Sequence, residues 1–339
     1  MINWGIIGCG NVTEVKSGPA FNKVRNSRLL AVMRRDAARA EDYAKRHNVP
    51  RFYSNADELI HDRDVNAVYV ATPPGSHAEY AVKVLQAGKP VYIEKPMAAS
   101  HEECIRINEA AEKFGLPVFV AYYRRTLPGF LKIRDLIREG NIGKVRFVQI
   151  QIFNYLSEDE KAGRLPWRVI PGISGAGHFF DLASHQLDYL DFLFGPVQKT
   201  TGVALNQANL YSAEDMVSAS FVFPENIVAT GTWSFAAARE SNRDSLEIIG
   251  ERGMIRTSTF SFQPIVLVNE KGSQEFENAR PEHVQYFLIE QIVKSLTEGG
   301  PVVSTGITAA RTSRVMDEVV REYYGKTDVS SEALAKEED

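Results

Sequence analysis

The sequence predicts an α/β protein of two domains. Three observations carry that reading. Short buried β-branched runs alternate with amphipathic segments over the first third; near residue 123 the pattern changes to consecutive strands; and 339 residues suit about two domains at roughly 150 residues each. Residues 1–122 read as a doubly wound parallel sheet, 123–325 as an α+β domain with an antiparallel or mixed sheet, and 326–339 as a polar tail.

In the first domain the apolar runs fall at 4–7, 29–33, 67–71, 91–93 and 118–122. Residues 76–88 read as a helix stopped by Gly88. Ser100 opens the next, with Glu103 three residues on as a capping box, and Gly115 precedes Pro117 at its end. Strands alternating with helices make parallel βαβ units covered on both faces. In the second domain a helix at 129–139 leads into a strand at 145–155. A Gly/Pro-rich loop at 163–177 then precedes a helix at 178–194. Strand-like runs at 218–223, 227–235, 245–249 and 265–268 follow with turns between them, and helices at 281–298 and 307–324 close the domain.

Composition narrows the function. Hydrophobic residues make up 44% and charged residues 24%, as in ordinary globular chains. The 39 Lys and Arg against 43 Asp and Glu give a net charge of −4, so no basic field invites nucleic acid or an anionic membrane. Two cysteines, Cys9 and Cys104, are too few for a disulfide framework or a cysteine zinc site. No basic leader opens the chain, and no apolar run nears the roughly 20 residues that span a bilayer. A cytoplasmic chain is the expectation.

The first run enters Gly8-Cys9-Gly10-Asn11-Val12-Thr13. Gly8 suits a tight turn, and Gly10 lets the backbone approach a pyrophosphate at a helix start. Thr13 stands where Gly or Ala is usual, which implies slightly looser helix–strand packing. The acidic residue expected about 20 positions on, for the ribose hydroxyls, is replaced by Arg34 and Arg35. Guanidinium groups suit a 2′-phosphate, so NADP is preferred, with NAD possible. The alternative is a solvated arginine pair with Asp36 serving the ribose.

Later strands end in Thr72-Pro73-Pro74 and Glu94-Lys95-Pro96, at the carboxyl ends that face a ligand crevice. Lys95 reads either as a crevice residue or as a surface lysine at a strand end. The Glu94–Pro96 step reads as an unusual turn, a cis peptide before Pro96 being one form of it. His77 reads as solvated or as lining the crevice. On the 178–194 helix, Asp181, His185 and Asp188 fall at i, i+4 and i+7 and share a face. A carboxylate one turn from an imidazole suits a general base working near pH 7. An ordinary surface pair is the plainer reading, and a metal site lacks further ligands.

Taken together, Gly8-Cys9-Gly10-Asn11, Ala71-Thr72-Pro73 with His77, Glu94-Lys95-Pro96, and the Gly-x-Gly lead to Asp181, His185 and Asp188 resemble the Gfo/Idh/MocA oxidoreductases. The resemblance spans nearly the whole chain. It implies an N-terminal Rossmann domain and an α/β domain with an open, largely antiparallel sheet that often forms a dimer interface. It also casts Lys95 and His185 as catalytic, with Asp181 beside them, and Gly8, Cys9, Gly10, Asn11, Val12, Arg34, Arg35, Thr72, Pro73, His77, Glu94 and Lys95 around the dinucleotide. Two departures touch the substrate side: Tyr123 replaces a common Asn, and Ser174-Gly175-Ala176-Gly177 replaces a glycine run.

The implied chemistry is hydride transfer between nicotinamide and a sugar, polyol or keto-sugar. Tyr122, Tyr123, Arg124, Trp167 and Arg168 are candidates to hold it, Trp167 being as readily a loop anchor. Two alternatives remain: a non-catalytic dinucleotide-binding regulator, which loss of Lys95 or His185 would favour, and a bile-pigment-type reductase. A homodimer or homotetramer through the second sheet is expected, with Phe221, Phe223, Trp233 and Phe235 meeting a second copy.

Overall fold

A computed structural model describes residues 1–326. The expected polar tail lies, from residue 327 on, outside the described residues. The chain forms two compact units, Met1–Leu127 with Pro281–Ala310 and Pro128–Arg280 with the residues from Arg311. No described helix is long and apolar enough to cross a membrane.

The first unit holds six parallel strands: β1 (Ile2–Ile7), β2 (Ser27–Met33), β3 (Arg51–Tyr53), β4 (Ala67–Val70), β5 (Val91–Ile93) and β6 (Val118–Val120). Their order is β3-β2-β1-β4-β5-β6. β4 and β5 are buried at every position, as expected of parallel strands with both faces covered. The order reverses between β1 and β4, which makes their carboxyl ends a crevice. The helix His101–Phe114 starts where Ser100 accepts the Glu103 amide at 3.3 Å and ends at Gly115 with φ 63°.

The segment 281–310, which the helical pattern alone assigns to the second domain, packs with the first unit. Gln285 is fully buried there beside Tyr92, the Ser304 hydroxyl donates to the Val120 carbonyl at 2.7 Å, and Thr305 bridges to Phe119. Periodicity marks a helix without saying which core receives it.

The second unit holds β7 (Val145–Phe153), β8 (Lys199–Leu205), β9 (Met216–Val222), β10 (Val228–Ser234), β11 (Arg243–Gly250), β12 (Gly253–Thr257), β13 (Ile265–Asn269) and β14 (Gly272–Phe276). In the order β14-β13-β12-β11-β7-β10-β9-β8, only β7 and β10 pair in parallel. Burial alternates along β7, with Val148, Ile150 and Ile152 inward, so one sheet face carries the core. The helix His178–Phe194 lies in that core. The Phe179 and Trp233 rings meet edge to face at 5.0 Å, and the Trp233 indole donates to Gln186 at 2.7 Å.

This corrects one expectation. Phe221, Phe223, Trp233 and Phe235 are buried within the unit, so these four side chains are not offered to a second copy. Phe223, Trp233 and Phe235 pack against the helix side chains of Phe194, Phe179 and His178, and Phe221 packs against Trp233.

Gln186 joins helix to sheet, because its amide also donates to the Thr259 hydroxyl at 3.0 Å. Gln186→Leu strips the buried Trp233 indole of its acceptor and should cost about 1–3 kcal/mol in urea unfolding. An unchanged midpoint would show that this bond does not hold the helix.

Candidate active site

In the first unit the chain leaves β1 through Gly8, at φ 89°. A Cβ there would sit 2.8 Å from the Thr72 amide, so only glycine fits. The Gly8 and Cys9 amides donate to the Met33 carbonyl at 2.9 and 3.1 Å, which locks the turn to the end of β2. Gly10 is open, a Cβ there meeting nothing nearer than 3.9 Å, so a pyrophosphate can reach the backbone at Gly10, Asn11 and Val12. The packing around Thr13 is not loose: the residue is fully buried, and its hydroxyl accepts from the Gly10 amide at 3.1 Å and donates to the Gly10 carbonyl at 2.8 Å. Burial pushes the Cys9 thiol up to about 11.

Arg34 directly follows β2, half-buried, its guanidinium donating to the Cys9 carbonyl at 3.4 Å, while Arg35 is exposed. Asp36 caps the next helix, accepting the Arg39 amide at 3.1 Å and pairing with the Arg39 guanidinium at 3.3 Å.

Beyond β4, Ser76 donates to the Thr72 hydroxyl at 2.8 Å and to the Pro73 carbonyl at 3.1 Å. His77 is neither solvated nor a lining residue. It is fully buried, one ring nitrogen 2.6 Å from the Thr72 carbonyl and the other 3.0 Å from the Pro96 carbonyl. Burial lowers its pKa, and the neutral ring, with one N–H, donates to one of the two carbonyls while packing between the loops after β4 and β5.

Glu94 is the hub of the β5 end. It accepts from Tyr69 at 2.6 Å, from the Gln285 amide, and from the Lys95 backbone amide at 3.0 Å. Gln285 in turn accepts from Tyr92 at 2.8 Å, and the Tyr69 and Tyr92 rings stack at 4.8 Å. Burial raises both tyrosines well above their ordinary range, which keeps them donors. Lys95 follows, half-buried, joined to Pro96 by a cis peptide. Tyr122, Tyr123 and Arg124 are buried, with Arg124 over the Tyr123 ring at 5.2 Å.

In the second unit, Asp181 lies in the first turn of the helix His178–Phe194, one turn before His185. The Arg168 guanidinium donates to Asp181 at 2.9 Å and lies 4.6 Å from the Trp167 ring centroid, so three candidates for the substrate side form one chain of contacts. His185 is buried, with Phe260 edge-on at 5.9 Å, and Asp188 is fully buried.

Sequence reasoning missed His178, although it stands seven residues before His185. Seven steps of about 100° bring it back to within roughly 20° of the same face. Its ring nitrogen lies 2.9 Å from Glu160. Burial works against the Glu160 charge, but hydrogen bonds from Ser157 and His178 hold its carboxyl below the usual range. Among the described residues, no cluster of three His, Cys, Asp or Glu is placed to hold a metal.

All three groups around Glu94 are donors. Glu94→Gln turns an amide NH₂ toward at least one of them, and should cost about 1–3 kcal/mol by denaturant unfolding. A variant as stable as the parent would mean that the hub is not satisfied as described.

Comparison with known proteins agrees with this fold. Residues 2–122 match the model of the oxidoreductase family with an NAD-binding Rossmann fold, and residues 130–256 match the GFO/IDH/MocA C-terminal domain. An oxidoreductase of Formosa agariphila is 44% identical over 301 residues, covering 86% of this chain and 90% of its own. The trans-1,2-dihydrobenzene-1,2-diol dehydrogenase of Bos taurus is 25% identical over 276 residues, with 81% and 79% covered. A levoglucosan dehydrogenase in complex with NADH shares the fold, with a TM-score of 0.86, 21% identity and coverage of 96% and 98%. The chain belongs to the Gfo/Idh/MocA family of oxidoreductases.

Proposed function

We propose that the protein is an NADP-dependent oxidoreductase that interconverts a ring-borne secondary alcohol of a sugar or polyol and the corresponding ketone. One observation carries this reading. In the sheet order β1-β4-β5, the open Gly10 turn, the Thr72-Pro73 loop and Lys95 follow three adjacent strands at their carboxyl ends. With strands about 4.8 Å apart, Lys95 stands roughly 10 Å across from the dinucleotide turn, which suits one group holding a coenzyme and the other its reaction partner. The names of the similar proteins support the substrate class: a dihydrodiol and levoglucosan are both cyclic and carry hydroxyls.

The bound nicotinamide supplies the hydride acceptor or donor. In the oxidative direction the alcohol carbon loses its hydrogen with both electrons, and the hydroxyl proton passes to His185 as the C=O bond forms. The Lys95 ammonium stabilises the charge that develops on that oxygen. Asp181, held by Arg168, stands one turn from the imidazole, and Trp167 offers an aromatic face to a sugar ring. In the reductive direction the same groups polarise and protonate the carbonyl.

The coenzyme preference follows from charge. Asp36 is committed to Arg39, whereas Arg34 stands at the end of β2 beside the turn. A charge-assisted bond from guanidinium to a 2′-phosphate contributes about 1.5–3 kcal/mol, or roughly 10–100-fold in favour of NADP.

Lys95→Ala should lower turnover of NADPH with a keto-sugar by roughly 10²–10³-fold with coenzyme binding retained, and His185→Ala by about 10²–10⁴-fold. Near-normal turnover in both would sink the assignment. Calorimetry on Arg34→Asp should show NAD preferred over NADP; equal affinities in the parent protein would remove the arginine from the coenzyme site.

A further inference from the structure

Glu214 is a fully buried carboxylate at the start of the helix that carries Asp181 and His185. Its Oε1 accepts the Gly177 amide at 3.0 Å, and its Oε2 accepts the hydroxyl of Tyr324, from the helix Gly306–Lys326. Gly177 is the N-cap residue of the His178–Phe194 helix and has no side chain with which to cap it. A Cβ at Gly177 would lie 2.8 Å from the Glu214 carbonyl oxygen, 2.9 Å from Oε1 and 3.0 Å from the Ala213 Cβ. Glycine is therefore required by the close approach of the Ala213–Glu214 segment, and the carboxylate takes the amide of the N-cap residue itself, the bond that a capping-box glutamate makes from within a helix. A negative charge there also complements the positive end of a 17-residue helix.

Glutamine would fit the same space at lower cost. Its amide oxygen could accept from Gly177, and its NH₂ could donate to the Tyr324 oxygen, with no charge removed from water. A buried charge in its place calls for a role that only the charge fills. We propose that Glu214 is a positioning residue: as a carboxylate it fixes the Gly177 amide, and with it the first turn of the helix bearing Asp181 and His185, and it loosens that turn on taking up a proton.

The groups around Glu214 set where this happens. Asp215, next in the chain, accepts the Gln207 and Ala208 amides at 2.8 and 2.7 Å. Tyr211 turns a buried hydroxyl to the same region and meets His178 edge-on at 6.3 Å, while His178 is held by Glu160. Tyr323 donates to the Ser212 carbonyl at 2.8 Å. Burial pushes the Glu214 carboxyl up to about 7, opposed by the bonds from Tyr324 and Gly177 and assisted by Asp215. The folded-state value lies above the ordinary 4.5, so folding favours the proton. The stability it confers is complete below about pH 4.5 and is lost as pH rises through 7.

The test pairs Glu214→Gln with Tyr324→Phe. Amide hydrogen exchange at residues 177–181, corrected for intrinsic pH dependence, should slow about tenfold in the parent between pH 6 and 8, the gap between a charge-assisted and a neutral hydrogen bond. In Glu214→Gln it should stay at the faster level throughout, while the variant melts higher than the parent at pH 8. Tyr324→Phe removes a donor to the carboxylate and should move the transition to higher pH. The effect on turnover rests on the oxidoreductase reading: kcat should carry the same transition, and Glu214→Gln should lower it several-fold at pH 8 with coenzyme KM unchanged. Exchange at 177–181 that ignores pH, or a Glu214→Gln protein matching the parent in exchange and in pH profile, overturns the proposal. Exchange that responds as stated in a protein without turnover on any sugar supports the anchor and overturns the oxidoreductase reading alone.

Discussion

Three donors converge on one buried carboxylate, Glu94, and the crevice end of the first sheet depends on them. Tyr69 comes from β4, the Lys95 amide from the end of β5, and Gln285 from the segment that returns to this unit late in the chain. A buried acceptor with every neighbour donating has one satisfied arrangement, because turning any partner away leaves a polar atom without water or bond. That constraint sets the backbone at Lys95 before any ligand arrives. His77 is packed nearby, its ring held between the Thr72 and Pro96 carbonyls. The loops after β4 and β5 thus stand together, and the open backbone at Gly10 follows the next strand, β1.

The second unit solves the same problem on a helix. An apolar helix packed against a sheet has its rotation set by the large side chains it buries, here Phe179 against Trp233. Its polar residues must then find partners at the angles left to them. Gln186 meets the Trp233 indole, Asp181 meets Arg168, and Asp191 takes two bonds from Arg311 at 2.9 and 2.7 Å. The side chains available for chemistry are those that this packing leaves at the helix start and along one face.

How far the sequence could be read follows from what kind of information each element carries. The His178–Phe194 helix, the Ser100 start and the Gly115 stop were legible because local rules mark them: a glycine lead, a capping serine, a left-handed end. β3 was not, being three residues long with Arg51 at its head and Phe52 exposed. The first-unit packing of residues 281–310 was invisible for a different reason, since Gln285 reveals its role only when Glu94 and Tyr92 stand beside it. Inward and outward faces were also beyond local pattern. Sequence spacing leaves Trp233 and Phe221 free for a second copy, whereas Trp233 lies under Phe179 of the helix with Phe221 beside it, and Tyr123 and Arg124 lie inside the unit. On the site, spacing alone pointed to Asp181 and His185, whereas Glu160 and Glu214 come from other segments, with nothing in their neighbourhoods to link them to the helix start.

The helix after the glycine turn runs only from Asn11 to Val15, and Gly18 follows within a tight bend in which a Cβ would lie 2.2 Å from the Thr13 carbonyl. Little more than one turn of aligned peptides gives a weak axial field, and the Thr13 hydroxyl already occupies the Gly10 amide. On the proposed reading, an anionic ligand at this turn would draw less on backbone dipoles and more on side chains such as Arg34, whose attraction dissolved ions screen over about 8 Å at physiological ionic strength. The hold of such a side chain on an anion would weaken as salt rises.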